Sequence, residues 1–262
     1  MFEYGILTTF VLSILFLLAG FIDSIAGGGG LISLTSLYAA KLPPISCVST
    51  NKFSMTFGTL FATINYAKKK KVVWRLALSS IIFALVGSLL GSRLAIRFAD
   101  TYLRYILLFV LPSLTFLTIR KKEDKEKAMI EYDSSLLSFS ISHVSYIISS
   151  ISSFFIGVYD GFFGPGTGTL YTILFSFMGL PLIYSAGTTK VLNLTSNIAA
   201  FTTFLFNNCI VYSIGIPCAL SSIVGNILGS SYAIKRGGRI IKGILILVIA
   251  LLYIKIIIEF II

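Results

Sequence analysis

The sequence GFIDSIAGGGG at Gly20–Gly30 places an aspartate, Asp23, inside an apolar run that ends in four consecutive glycines. A second stretch, GVYDGFFGPGTG at Gly157–Gly168, repeats this arrangement around Asp160. In both stretches a glycine precedes the aspartate by three positions, and another glycine follows it by four. Both stretches are too apolar for a water-exposed surface, so the chain holds a polar group in an apolar setting at two places.

The composition indicates an integral membrane protein. Of the 262 residues, 56% are hydrophobic and only 12% are charged, whereas about 25% of the residues are charged in soluble globular proteins. Apolar runs of helical length recur without the alternation of a transmembrane β-strand, so we expect an all-α protein in the cell (inner or plasma) membrane. The predicted spans are residues 4–22, 30–42, 45–67, 72–97 and 102–119 in the first half, and 136–160, 168–180, 182–206, 210–235 and 239–261 in the second.

Several other classes of protein are not indicated. The net charge of +11 does not predict a nucleic-acid partner, because most of the positive charge falls in short loops between apolar runs. No GxxxxGK[ST] motif is present, so the sequence does not indicate direct ATP drive. The three cysteines have no CxxC spacing, and His143 has no Cys, His or carboxylate at ligand spacing. We therefore expect neither a metal nor a cofactor.

The two halves of the chain are copies of one another. An offset of 137 relates Asp23 to Asp160, and after one insertion in the glycine-rich turn an offset of 138 aligns Lys52 with Lys190. The register continues through VGSLLGSRLAI at 86–96 and its counterpart VGNILGSSYAI. A chance match between apolar sequences would not keep Asp, Lys, Pro and Gly in register. The predicted divisions are a first transmembrane repeat at 1–119, a charged linker at 120–134 and a second transmembrane repeat at 135–262.

The second predicted helix decides how the repeats are related. Leu31–Leu42 has twelve residues, which give about 18 Å of helix against a hydrocarbon core of about 30 Å. If it crosses, each repeat has five crossings and the second copy is inverted; if it re-enters, each has four and the copies are parallel. Five crossings place Lys68–Lys71, the linker and the basic cluster at Lys235–Lys242 in the cytoplasm, as the positive-inside rule favours. We therefore expect inverted repeats of about five helices each, with both termini outside.

Glycine runs interrupt the helices at the same point of each repeat. Gly27–Gly30 and Gly164–Gly168 are poor helix interiors, because glycine loses backbone entropy and Pro165 lacks an amide donor. Short segments interrupted by Gly or Pro at matching positions of inverted repeats indicate a secondary transporter. The helix after each break presents unpaired N–H groups, which favour an anion. The backbone positions that we expect to contact the anion are Gly28, Gly29, Gly30, Gly166, Thr167 and Gly168.

Lys52 and Lys190 occupy equivalent positions in the spans that follow Pro43 and Pro181. Each lies roughly 10 Å along its helix, and two roles are open. The lysines could snorkel or pair with the aspartate of the same repeat, or they could anchor an anionic substrate. The polar neighbours in STNK and GTTK favour an anchor. The polar residues that we expect to line the site with them are Asn51, Ser54, Thr189, Asn193 and Asn197.

Asp23 and Asp160 have three open roles: counter-ions of the lysines, caps of the broken helices, or groups that couple transport to protons. Burial favours a neutral carboxyl group and a nearby lysine favours a carboxylate, so the sequence leaves their charge open. The repeat symmetry favours Asp–Lys pairs within each half. An intramembrane aspartyl protease, which would need an Asp–Asp dyad, is a remote alternative.

Glycines also recur with GxxxG spacing near the end of each repeat, at Gly87 and Gly91 and again at Gly225 and Gly229. This spacing is more typical of a helix-packing face than of a binding site. Such a face would also permit a homodimer.

These motifs resemble the TauE/SafE family, the sulfite and organosulfonate exporters of bacterial membranes. The resemblance rests on GFIDSIAGGGG, the short apolar helix after it, PP, STNK and VGSLLGSRLA, and on the degenerate second copy. It covers nearly the whole chain except the linker, and it implies export of sulfite or an organosulfonate. The second copy replaces GGGG with GPGTG and has Thr189 before its lysine, so it stays open whether both halves touch the substrate.

We therefore expect a transporter rather than an enzyme, working by alternating access on a small anion in the lipid bilayer. The alternatives are an anion channel and a membrane scaffold. A channel is expected to show a continuous polar stripe or rings of like charge, whereas the polar residues of this chain cluster at two breaks.

Overall fold

The computed structural model describes residues 5–98 and 143–247, and within these ranges the chain is helical with no strand. The predicted span at 102–119 and the linker at 120–134 lie outside the described residues. The helices are α1 Ile6–Ala26, α2 Gly29–Ala39, α3 Pro44–Lys68, α4 Trp74–Phe98, α5 His143–Phe162, α6 Thr167–Phe177, α7 Leu182–Phe206 and α8 Tyr212–Arg236, followed by α9 at residues 238–247.

The outer helices are apolar and the central ones are polar inside. Three helices, α1, α4 and α8, are long and apolar enough to cross a membrane by length and composition. Side chains on the outer faces of α1, α4, α5 and α8 are apolar and exposed, among them Phe10, Ile82, Phe155 and Leu220. The helices α3 and α7 have 25 residues each and lie at the centre, where they bury many polar side chains. The outer surface therefore suits lipid, and the interior suits a polar site.

The glycine-rich stretches break the helices where the sequence predicts. The helix α1 ends at Ala26, and Gly27 adopts a left-handed backbone with φ of 81°. At the end of α5, Gly164 and Gly166 have φ of 98° and 82°, a region that glycine enters without steric cost. The helices α2 and α6 start just after these breaks and have 11 residues each. They are about 16 Å long, about half the thickness of a hydrocarbon core.

The central helices α3 and α7 are antiparallel. The ring of Phe53, early in α3, lies 5.5 Å from the ring of Phe201, late in α7. Further along α3, the hydroxyl of Thr63 donates to the main-chain oxygen of Lys190, which lies early in α7. Position along α3 thus rises as position along α7 falls.

The helices α4 and α5 run in the same direction. The hydroxyl oxygens of Ser80 and Ser149 lie 2.6 Å apart. Further along both helices, Gly91 packs on the main-chain oxygen of Val158. The end of α4 and the start of α5 therefore lie at opposite ends of the helical assembly.

The most extensive packing joins helices from different halves of the sequence, α4 with α5 and α1 with α8. A Cβ at Gly87 or Gly91 would meet the main chain of α5, and one at Gly225 or Gly229 would meet the main chain of α1. The prediction that these glycines form packing faces is confirmed. Both faces are occupied within the chain, so they are not free to form the homodimer that their spacing would also permit.

These contacts group the eight larger helices into two sets. We call α1, α2, α3 and α8 bundle A, and α4, α5, α6 and α7 bundle B. The helix α2 packs on α1 and α3, and α6 packs on α7 and α5. Each bundle therefore contains helices from both halves of the sequence, and the bundles meet along α3 and α7.

Candidate functional site

A small polar cavity lies where the two helix breaks meet, between bundle A and bundle B. The space open to the centre of a water molecule is about 30 Å³, which is enough for roughly two waters. Nine residues predicted for the site line it: Asp23, Gly30, Asn51, Lys52, Asp160, Thr167, Gly168, Asn193 and Asn197.

Three further residues, Gly27, Met55 and Gly164, line the cavity. The two glycines belong to the predicted helix breaks, whereas Met55 was not predicted. Met55 follows Lys52 by three positions and so lies on the same face of α3. It also aligns with Asn193 under the offset of 138. Helical spacing from Lys52 combined with the repeat alignment is the signal that would have identified it.

The remaining predicted residues lie outside the lining of the cavity. Ser54 donates to the main-chain oxygen of Gly215 at 2.9 Å and so joins α3 to α8. The hydroxyl of Thr189 accepts a hydrogen bond from Thr172 on α6. The six predicted residues that do not line the cavity are Gly28 and Gly166, which are the N-caps of α2 and α6, together with Gly29, Ser54, Thr189 and Lys190.

Lys52 forms a buried ion pair across the two bundles. Only 2% of the residue is exposed, and its Nζ lies 2.6 Å from Oδ1 of Asp160 on α5. The same ammonium donates to Oδ1 of Asn197 on α7 at 2.9 Å. The second carboxylate oxygen of Asp160, Oδ2, is buried and has no hydrogen-bond partner among the described residues.

Lys190 forms the matching pair on the other side. Its Nζ lies 2.7 Å from Oδ2 of Asp23 on α1, and it also donates to the main-chain oxygen of Asp23. That oxygen accepts the N–H of Gly27 as well, at 2.8 Å, where α1 ends. Lys190 therefore holds the broken end of α1 as well as its carboxylate.

The expectation of Asp–Lys pairs within each half was wrong. Lys52 in the first half pairs with Asp160 in the second, and Lys190 in the second pairs with Asp23 in the first. The reason is the exchange of helices between bundles, which places the break of one half beside the lysine of the other. Each carboxylate has an ammonium partner, so the two aspartates are counter-ions rather than a dyad that shares a proton.

Contacts between the halves occur twice at equivalent positions. The main-chain N–H of Val211 donates to the hydroxyl of Thr50, and the N–H of Val73 donates to the hydroxyl of Thr188, both at 3.0 Å. The offset of 138 relates both donors and both acceptors. Each half therefore donates one main-chain N–H to a threonine hydroxyl of the other half and accepts the equivalent hydrogen bond in return.

The electrostatics of the site are balanced, because the two ammonium groups and the two carboxylates sum to zero charge. In the described part of the chain, no group of three or more His, Cys, Asp or Glu side chains is placed to hold a metal ion. The cavity wall offers a ligand one lysine, two carboxylates, amide and hydroxyl groups, and the N-terminal ends of α2 and α6.

Comparison with known proteins places these features in a family. The sulfite exporter TauE/SafE family matches residues 12–256 of the chain. The chain belongs to this family. The resemblance drawn from GFIDSIAGGGG, STNK and VGSLLGSRLA is therefore confirmed, and in the structure the first two of these motifs supply Asp23, Asn51 and Lys52 to the cavity.

Curated relatives of this TauE/SafE protein are membrane transporters by name. The chain is 34% identical over 233 residues to the probable membrane transporter protein ORF9 of Sinorhizobium sp, covering 88% of the chain and 85% of the relative. It is 32% identical over 250 residues to the probable membrane transporter protein YfcA of Escherichia coli K12, covering 94% and 88%. A probable membrane transporter protein of Haemophilus influenzae is 32% identical over 244 residues, covering 90% and 91%. No solved structure matches the chain.

Proposed function

We propose that this TauE/SafE protein is a secondary transporter that exports a small anion, sulfite or an organosulfonate, by alternating access. The observation that carries the proposal is the polar cavity between two helix breaks, with Lys52 in its wall. Lys52 supplies the positive charge, Asn193 and Asn197 supply hydrogen bonds, and the N-termini of α2 and α6 favour negative charge. The small volume favours an ion of a few heavy atoms.

We propose that the two halves are inverted repeats. Thr59 and Asn197 align under the offset of 138, and Nδ2 of Asn197 lies 3.5 Å from Oγ1 of Thr59. A residue that touches its own counterpart marks a local two-fold axis, which here passes between α3 and α7. Because these helices are antiparallel, the axis is perpendicular to them and lies in the membrane plane. An axis in the membrane plane is the symmetry of inverted-topology transporters.

The antiparallel directions of α3 and α7 support five crossings in each repeat, because repeats of four crossings would leave these equivalent helices parallel. Since α4 and α5 run in the same direction, one further crossing is expected between them. The predicted span at 102–119 would provide that crossing. With Lys68–Lys71 in the cytoplasm, this arrangement puts the linker at 120–134 inside, the turn between α7 and α8 outside, and both termini outside.

The contacts favour bundles A and B, rather than the halves of the sequence, as the bodies that move. Packing is most extensive within the bundles, while the cavity and both ion pairs lie between them. Short connections join α3 to α4 and α7 to α8. At equivalent points of these connections, Lys70 has a φ of 56° and Asn208 has a φ of 52°. We propose that these connections act as hinges when the cavity opens to one side or the other.

Counterflow in proteoliposomes tests the proposal. Vesicles containing the purified protein are loaded with unlabelled methanesulfonate or sulfite and diluted into a trace of the radiolabelled anion. A transporter accumulates label inside above the equilibrium level before the label falls again. A channel gives equilibration without this overshoot, and a scaffold gives no entry beyond that of protein-free vesicles. The charge-neutral variant Lys52→Met/Asp160→Asn is the matched control and should show no overshoot.

A further inference from the structure

The two buried ion pairs differ although they occupy equivalent positions in the repeats. Both Lys52 and Asp160 line the cavity. Of the other pair, Asp23 lines it and Lys190 does not. Lys190 places both of its hydrogen bonds on a single residue, Asp23, at the end of α1. Lys52 instead bonds to side chains on two other helices. The pair at Lys52 is therefore the one that a ligand in the cavity reaches.

Three buried acceptors without a partner belong to residues of the cavity wall around Asp160. Among the described residues, Oδ2 of Asp160 and the amide oxygens of Asn51 and Asn193 are buried without a hydrogen-bond partner, and all three residues line the cavity. Among the described residues, the buried side-chain atoms without a partner include no oxygen of Asp23. Buried acceptors without a partner are costly and rare in native proteins. Their concentration beside Asp160 marks a place where a hydrogen donor is needed.

Charge balance decides which donor that is. The four ionised groups of the site sum to zero, and a single anion added to them would leave a buried negative charge without compensation. Such a charge is strongly disfavoured in a low-dielectric interior. A proton that arrives with the anion keeps the net charge of the site at zero. The base nearest to the bound anion is the carboxylate that the anion displaces from Lys52.

We propose that the anion and a proton are carried together, and that Asp160 is the proton carrier. The anion replaces Asp160 at Nζ of Lys52, which stays an ammonium. The released carboxylate takes up one proton and becomes a neutral carboxyl group, which donates to a neighbouring acceptor. No covalent bond to the anion forms. The inference rests on the proposed function and adds to it the coupling ion, a ratio of one proton per singly charged anion, and a bracing role for the Lys190–Asp23 pair.

The contacts of the groups around Asp160 are consistent with its role as the proton carrier. The hydroxyls of Tyr159 and Tyr171 donate to the main-chain oxygens of Pro165 and Ser153, so neither competes for the carboxylate. The helix α4 meets this part of α5 with the uncharged Ser88. The charged and titratable groups that face Asp160 from the elements around it are Lys52 on α3, Asp23 on α1 with its partner Lys190 on α7, Tyr171 on α6 and, on α5 itself, Tyr159.

Simultaneous measurement of anion entry and lumenal pH in proteoliposomes tests the inference. Methanesulfonate is the probe, because it is a strong acid that carries no proton of its own at neutral pH. Radiolabel reports anion entry and a trapped pH dye reports protons. We expect one proton to enter with each anion, at a rate that does not respond to the membrane potential. Anion entry without acidification would overturn the coupling and leave the proposed function standing, whereas absence of protein-dependent entry would overturn both.

Two matched variants locate the proton. In Asp160→Asn, the anion should enter without acidifying the lumen, and its entry should become sensitive to membrane potential because it now carries net charge. In Asp23→Asn, the same chemical change in the other pair should keep one proton per anion, whatever its rate. Equal effects of the two substitutions on the ratio would contradict the assignment to Asp160.

Calorimetry of the unmodified protein keeps the test decisive if a variant does not fold. Titration with methanesulfonate in two buffers of different ionisation enthalpy counts the protons taken up on binding. We expect one proton per anion, and an apparent Kd that rises about tenfold for each unit of increasing pH while Asp160 is ionised in the free protein. Binding without proton uptake would overturn the inference.

Discussion

At Lys52 and Lys190, ammonium groups lie where only 2% and 1% of the residue is exposed. Each is held there by a carboxylate within 2.7 Å, because an unpaired charge in such an interior would be far too costly. The sequence identified all four charged residues from the repeat. It paired them wrongly, because an alignment of two halves shows which positions are equivalent and carries no information on which half each helix packs against.

Removal of one partner of a buried pair should cost much more than removal of both. In Lys52→Ala, Asp160 loses its counter-ion in a buried site, so we expect about 3–5 kcal/mol of lost stability. In Lys52→Met/Asp160→Asn, both charges are gone and the volume is nearly kept, so most of that loss should be regained. Denaturant unfolding in detergent measures both values. A double variant as unstable as the single one would show that the pair matters for packing rather than for charge.

At the scale of the element, the helix breaks were predictable and the helix ends less so. Glycine clusters in apolar sequence are a strong signal, and both breaks lie where they were expected. The helix predicted at 30–42 ends instead at Ala39, because Lys41 adopts a left-handed backbone with φ of 60° ahead of Pro43. Main-chain hydrogen bonds from Lys41 to Tyr38 and from Leu42 to Leu37 close that turn, and sequence periodicity does not report it.

The close approach of α1 and α8 gives a second prediction. A Cβ at Gly225 would lie 2.1 Å from the main-chain oxygen of Leu17, and a main chain cannot move aside as a flexible side chain can. We expect Gly225→Ala to destabilise the protein by roughly 1–3 kcal/mol, as measured by thermal unfolding in detergent.

Gly243 provides the matched control, since a Cβ there would meet nothing within 4 Å. Gly243→Ala should be neutral, or stabilising by up to about 1 kcal/mol because alanine is the better helix former. Equal effects of the two substitutions would contradict the packing role of Gly225.

At the scale of the whole molecule, the repeat in the sequence predicted a two-part architecture but not its two packing units. The offset of 138 predicts that matching helices make matching contacts, and the contacts at Thr50 and Thr188 do so. The exchange of α4 and α8 between bundles could not be derived, because a helix with one small-residue face fits the first helix of either half equally well.

A natural cysteine reports the proposed topology. Cys47 and Cys218 are buried, whereas Cys209 is partly exposed in the turn between α7 and α8. We expect a membrane-impermeant maleimide to label intact cells from outside at Cys209, and Cys209→Ser to abolish the signal. Partial burial raises the pKa of this thiol, so less thiolate is present at neutral pH and labelling should accelerate as pH rises. Labelling only after permeabilisation would contradict the proposed orientation.

The most direct test of the account is the unfolding stability of the purified protein with a panel of anions: sulfite, methanesulfonate, taurine, sulfate, acetate and chloride. A ligand that binds only the folded protein adds RT ln(1 + [L]/Kd), about 1.4 kcal/mol at ten times its Kd. We expect stabilisation by sulfite or a sulfonate, and loss of that stabilisation in Lys52→Met/Asp160→Asn. Stabilisation by none of these anions, or equal stabilisation of the charge-neutral variant, would contradict an anion site at Lys52.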